Sequence, residues 1–140
     1  MNYDWFTRIL DVFNQYIYPM YDLVARNRID CEVPVASEIT DSEYLSQLAS
    51  KLPGFLESIC NSKVGIAIYN AGTDVVENDS LGGLRLSPSA ILDRDLLVIS
   101  ELRRRKIPTV MLLSGGYTNK SYRLVANTVI ELLNQYGSAG

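Results

Sequence analysis

The 140-residue sequence contains no histidine. Histidine is the usual general base near neutral pH and a common zinc ligand. Any acid–base chemistry therefore falls to carboxylates, tyrosine, lysine or cysteine. Cysteine is scarce as well. Cys31 and Cys60 stand far apart without metal-type spacing, and they read as reduced core or surface thiols. Neither sign of charge dominates: 13 Lys and Arg against 16 Asp and Glu leave a net charge of -3. A broad grip on nucleic acid needs a basic face, so no direct nucleic-acid binding is expected. The one basic cluster, Arg103-Arg104-Arg105-Lys106, falls at the end of a predicted helix, where cations favour exposed carbonyls. A solvated helix end is the expectation there. No apolar window reaches the length of a membrane span. Asp4, Arg8 and Asp11 interrupt any signal-peptide core in residues 1–21. An intracellular, soluble protein is expected.

What is present suits one compact domain: 47% of the residues are apolar. Residues 8–13 form a short apolar run that predicts a strand, and residues 22–28 a short helical piece. Residues 29–35 alternate apolar and polar, as a half-buried or edge strand does, and Pro34 favours the edge. Thr40 and Glu43 have capping-box spacing. They open a helix carrying Tyr44, Leu45, Leu48, Leu52, Phe55, Leu56 and Ile59 at helical intervals, which Pro53-Gly54 is expected to kink or split. Residues 64–69 and 107–113 are continuous apolar runs, predicting strands buried on both faces of a parallel sheet. Ser87-Pro88 starts the helix between them. A last helix spans about 119–135, with Leu124, Val125, Val129, Ile130 and Leu133 inward and Gly137 at its end. Tyr16, Tyr18 and Tyr21 are spaced like an aromatic core cluster. Strands alternating with helices predict an α/β fold with a mainly parallel sheet flanked by helices.

Ligands bind such sheets beyond the carboxyl ends of the strands. Two loops occupy that position: Asn70-Ala71-Gly72-Thr73-Asp74 and Ser114-Gly115-Gly116-Tyr117. The first presents a carboxylate after a glycine turn, suited to a metal ion or, alternatively, to capping loop amides. The second brings paired glycines and a phenol that can donate to a developing oxyanion or simply pack. Lys120-Ser121 suggests a phosphate loop, but Ser114 and Asn119 stand where its glycines belong. Leu81-Gly82-Gly83-Leu84 is a turn or a loop at the mouth of a pocket. Asp79, Asp93 and Asp95 read as surface or capping groups.

Several blocks together resemble the C-terminal half of class IV histone deacetylases. They are Tyr69-Asn70-Ala71-Gly72-Thr73-Asp74, Asp79-x-Leu81-Gly82-Gly83-Leu84-x-Leu86-Ser87-Pro88, Arg94-Asp95, Pro108 and Ser114-Gly115-Gly116-Tyr117. Asp11-Val12-Phe13-Asn14, Ile17-Tyr18-Pro19 and Asp41-x-Glu43-Tyr44-Leu45 resemble the middle region of that family. Residues 1–140 then form a single C-terminal portion of a deacetylase-like domain. The resemblance implies a partial arginase–deacetylase fold and hydrolysis of acyl-lysine amides, including long fatty acyl groups. By the same resemblance Asp74 is the second zinc aspartate and Tyr117 the oxyanion donor. Gly115 and Gly116 line the acyl-lysine channel, and Leu81 lies near the pocket rim. At Glu77-Asn78-Asp79-Ser80 the family usually has Gly and Arg in place of Asn78 and Ser80; Asn78 can still take a left-handed conformation.

The family's Asp-x-His zinc loop and paired histidines have no counterpart in a chain without histidine. Zinc binding is therefore expected only with the missing N-terminal ligands. The expected partner of the completed enzyme is an acyl-lysine protein such as a histone tail, in the nucleus, the cytoplasm or both. Two other readings stand beside this one: a non-catalytic remnant or isoform acting as an interaction module, and an unrelated α/β domain binding a small anion. Part of a parallel sheet is also expected to expose an apolar edge through which chains associate.

Overall fold

A computed structural model describes residues 6–17, 21–60 and 64–137. Chain order is β1 (Leu10–Asn14), α1 (Leu23–Arg26), β2 (Cys31–Val35), α2 (Asp41–Cys60), β3 (Ala67–Asn70), α3 (Pro88–Arg104), β4 (Thr109–Leu112) and α4 (Ser121–Tyr136). This is the predicted alternation. β1 pairs with β2 and β3 with β4, both parallel, so among the described residues the strands form two two-stranded sheets rather than one. The sheets share a core nonetheless. Leu10 and Val12 of β1, and Ala67 and Tyr69 of β3, pack on the same cluster of Leu48, Leu52, Leu56, Val98, Leu102 and Ile107.

The helix boundaries follow from local chemistry. The Glu43 amide donates to Thr40 Oγ1 at 3.3 Å, and Glu43 Oε2 accepts the Thr40 amide at 3.0 Å, closing the capping box. Ser87 Oγ accepts the Ala90 amide at 3.2 Å, and Pro88 fills the first turn of α3. Pro53 does not split α2, which runs unbroken from Asp41 to Cys60. The tertiary burial of Leu48, Leu52 and Leu56 on one stripe outweighs the single hydrogen bond that proline forfeits.

Three burial expectations are overturned. β3 and β4 are covered on one face only: Ile68 and Val110, paired in register, are 66% and 43% exposed. A continuous apolar run shows that both faces are apolar, not that both are covered. On α4, Leu124 and Thr128 are buried, whereas Val129, Ile130 and Leu133 face outward. Tyr16 and Tyr21 are exposed rather than core, and Tyr18 and Pro19 lie outside the described residues. Among the described residues no helix is long and apolar enough to cross a membrane.

The basic cluster at the end of α3 makes internal contacts. Arg103 stacks 4.2 Å over the Tyr136 ring. Arg105 pairs with Glu101 and donates to the Pro53 carbonyl at 3.2 Å, tying α3 to α2. Arg105 is therefore half-buried, whereas Arg103, Arg104 and Lys106 stay exposed, as expected of a solvated helix end. Cys31 is a half-buried free thiol.

Candidate functional site

Parallel pairing of β3 with β4 ends both strands on one side of the molecule, so their loops emerge together. The Ala71 amide continues the ladder to the Leu112 carbonyl at 2.9 Å, and the Thr73 amide reaches the Gly115 carbonyl at 2.6 Å. Asp74 and Gly115 consequently lie against each other. A β-carbon at Gly115 would stand 2.1 Å from Asp74 Oδ2 and 2.7 Å from its carboxyl carbon, so only glycine leaves room for this carboxylate. A β-carbon at Gly116 would stand 2.3 Å from Thr73 Oγ1. Asp74 is half-buried. Its carboxyl is pushed above the usual range, first by burial and then by the nearby charge of Asp79.

The segment between Asp74 and α3 folds back on itself. Val76 and Leu86 form a parallel bridge, and Asn78 takes the left-handed conformation at φ 65°. Asp79 then faces inward. Its Oδ1 accepts the amides of Leu81 at 2.9 Å and Gly82 at 3.1 Å, and its Oδ2 accepts the amide of Tyr117 at 2.8 Å. Burial opposes its charge, but these three amides more than offset that and hold its carboxyl below the usual range. Gly82 backs onto the Asp74 carbonyl. Asn14, buried at the tip of β1, donates to the Gly83 carbonyl at 3.1 Å. All five predicted site positions thus lie near one another: Asp74 against Gly115, Gly116 against Thr73, and Tyr117 and Leu81 joined through Asp79. The Tyr117 and Leu81 side chains are 58% and 59% exposed.

Behind this cluster lies a charged network that the sequence reading missed. Asp95 is buried rather than a surface or capping group. It accepts from Tyr69 Oη at 2.5 Å, Thr128 Oγ1 at 2.7 Å and Arg94 Nε at 2.9 Å. Arg94 Nη2 also lies 2.8 Å from Asp95 Oδ1, in ion-pair contact without hydrogen-bond alignment. Arg94 Nη1 donates to the Gly72 carbonyl at 2.8 Å. Burial works against the Arg94 charge, but Tyr69, Asp95 and Tyr44 around it raise its pKa. Burial likewise raises the Tyr69 phenol well above its ordinary value. The signal was present in the sequence: Arg94 and Asp95 fall at helical spacing between Ile91 and Val98, on the stripe that faces the core. The Asp79 turn had a weaker cue, an aspartate two residues before Leu81-Gly82.

These residues do not make a complete metal site. No group of three candidate ligands exists among the described residues, and both oxygens of Asp79 are engaged by backbone amides. Asp74 offers one carboxylate, against the three protein ligands typical of catalytic zinc.

The histone deacetylase domain family matches residues 8–133. Histone deacetylase 2 of Arabidopsis thaliana is 42% identical over 127 residues, covering 91% of this chain and 32% of that protein. An uncharacterized protein of Picosynechococcus sp. is 28% identical over 100 residues, covering 71% of this chain and 32% of its own length. The chain thus spans about a third of the length of these relatives. Among solved structures, the HDA15 HD domain superposes with a TM-score of 0.65 at 18% identity, covering 89% of this chain and 36% of that one. The acetylpolyamine aminohydrolase of Burkholderia pseudomallei gives 0.64 at 14%, with the same coverages. These likenesses establish the arginase–deacetylase type of α/β fold, and they set aside an unrelated anion-binding domain. The chain belongs to the histone deacetylase domain family.

Proposed function

We propose that this chain is the C-terminal part of a class IV-type, zinc-dependent lysine deacylase, supplying Asp74 as one metal ligand and Tyr117 as oxyanion donor. The observation that carries the reading is the fit of the Asp74 carboxylate against Gly115, two residues before Tyr117. In this reading the phenol of Tyr117 donates a hydrogen bond to the oxygen of the acyl-lysine amide as negative charge develops there. Gly115 and Gly116, lacking side chains, leave space for the acyl-lysine beside Asp74, and Leu81 lies at the rim. The remaining metal ligands lie outside these 140 residues, which contain no histidine. The chain by itself is then inactive. Its completed form acts on acyl-lysine proteins such as histone tails, in the nucleus or cytoplasm.

The test joins or mixes the chain with a segment carrying an Asp-x-His zinc loop and the paired histidines. Hydrolysis of an acyl-lysine peptide is then measured with zinc present. The 140-residue chain should be silent, the completed protein active, and Asp74→Asn and Tyr117→Phe each strongly impaired. Turnover by the chain alone, or full turnover by Tyr117→Phe in the completed protein, would overturn the assignment.

A second reading, a non-catalytic interaction module, is favoured by the exposed apolar face at Ile68 and Val110. Failure of every completed form to hydrolyse acyl-lysine would support it.

A further inference from the structure

Packing covers less than half of Tyr117, and among the described residues no side chain hydrogen-bonds its hydroxyl. Where the phenol can reach therefore depends on how its backbone is held. The tie made by the Tyr117 amide is to Asp79 Oδ2, across 38 residues of sequence.

Asp79 is built for that task from both sides. Its other oxygen gathers the Leu81 and Gly82 amides, so the carboxylate spans two loops. Gly82 in turn sits on the Asp74 backbone so closely that a β-carbon there would stand 1.7 Å from the Asp74 carbonyl oxygen. The far end of the same turn is pinned by Asn14 through the Gly83 carbonyl. The path from Asp74 through Gly82 and Asp79 to Tyr117 is one continuous set of short contacts.

We infer that Asp79 is a positioning residue which sets the place of Tyr117 relative to Asp74 by bracing its amide against the Leu81–Gly82 turn. This rests on the reading of Tyr117 as oxyanion donor. Asp79 touches no reacting atom. Both of its oxygens must accept, which a carboxylate can do and a carboxamide cannot, because asparagine presents one oxygen and one NH2 group. In Asp79→Asn the oxygen is best spent on the paired Leu81 and Gly82 amides, which turns a donor toward the Tyr117 amide.

The experiment measures amide hydrogen exchange in the 15N-labelled chain and its Asp79→Asn and Asp79→Ala variants. Loss of a hydrogen bond to a charged acceptor should speed exchange at Tyr117 at least about tenfold in Asp79→Asn. The Thr73 amide, held by Gly115, should keep its protection. In Asp79→Ala the Leu81 and Gly82 amides should follow Tyr117. If the alanine variant also loses protection at Thr73, it has lost the fold, and the isosteric asparagine variant decides. Unchanged Tyr117 exchange in Asp79→Asn would overturn the inference. In the completed enzyme, Asp79→Asn should lower kcat with little change in KM. Full activity of Tyr117→Phe would sink the functional reading while the exchange data still judge the brace. Impaired Tyr117→Phe beside fully active Asp79→Asn would sink the brace alone.

Discussion

Arg94 reaches from the middle of α3 to the Gly72 carbonyl, 2.8 Å away and two residues before Asp74. The same guanidinium holds Asp95, whose second oxygen is bound by Thr128 of α4. The loop that carries Asp74 is therefore braced through α3 against both α4 and β3.

Removing that brace should be costly. Arg94→Met leaves the buried Asp95 carboxylate without its counter-ion, and breaking a buried pair typically costs about 3–5 kcal/mol. Urea unfolding monitored by circular dichroism measures this. Arg94→Lys should fall between parent and Arg94→Met, since an ammonium cannot hold Asp95 and Gly72 with one planar fork. A midpoint for Arg94→Met equal to the parent would show that the network contributes nothing.

Glycine substitutions should divide sharply by place. Gly115→Ala drives a methyl group into the Asp74 carboxylate, and overpacking of this kind costs roughly 1–3 kcal/mol. Gly54 lies inside α2, and a methyl group there would meet nothing within 4 Å. Gly54→Ala should therefore stabilise by about 0.5–1 kcal/mol through helix propensity. Thermal unfolding of the two variants decides, and equal shifts in the same direction would refute the contrast.

Two carboxylates of the β1–β2 region should respond to pH with opposite sign. Burial raises the Asp11 carboxyl above its ordinary 3.8. Its ionised form is disfavoured by the fold, so it costs stability as pH rises from 3.8 through the folded value, and Asp11→Asn should stabilise above that window. Asp30 is lowered by the Ile9 amide and then by Arg8. Its contribution is present above 3.8 and lost as pH falls through the lower folded value, so Asp30→Asn should destabilise at neutral pH. Unfolding midpoints of both variants between acid and neutral pH check the signs.

The outer face of β3–β4 should make the isolated chain associate. Ile66, Ile68, Val110 and Leu112 present neighbouring apolar side chains to water, the arrangement expected of an interaction surface. Sedimentation should show oligomers that Ile68→Thr with Val110→Thr disperses, without loss of folding cooperativity. A monodisperse parent chain would refute this.

The sequence by itself determined the order of elements, the two helix starts and the two loops at the tips of β3 and β4. These are local matters: Thr40 and Glu43 cap through neighbours three residues apart, and Ser87-Pro88 acts within one turn. Asn78 at φ 65° was legible for the same reason. The tertiary structure decided what is covered and what is tied. Whether Ile68 is buried depends on which element packs over it, and the partners of Asp95 come from β3, α3 and α4, up to 33 residues away. Asp79 looked like a loop cap from its neighbours, and it is one. Its second oxygen, turned to Tyr117 across 38 residues, became apparent only once β3 and β4 paired in register and brought their two tips together.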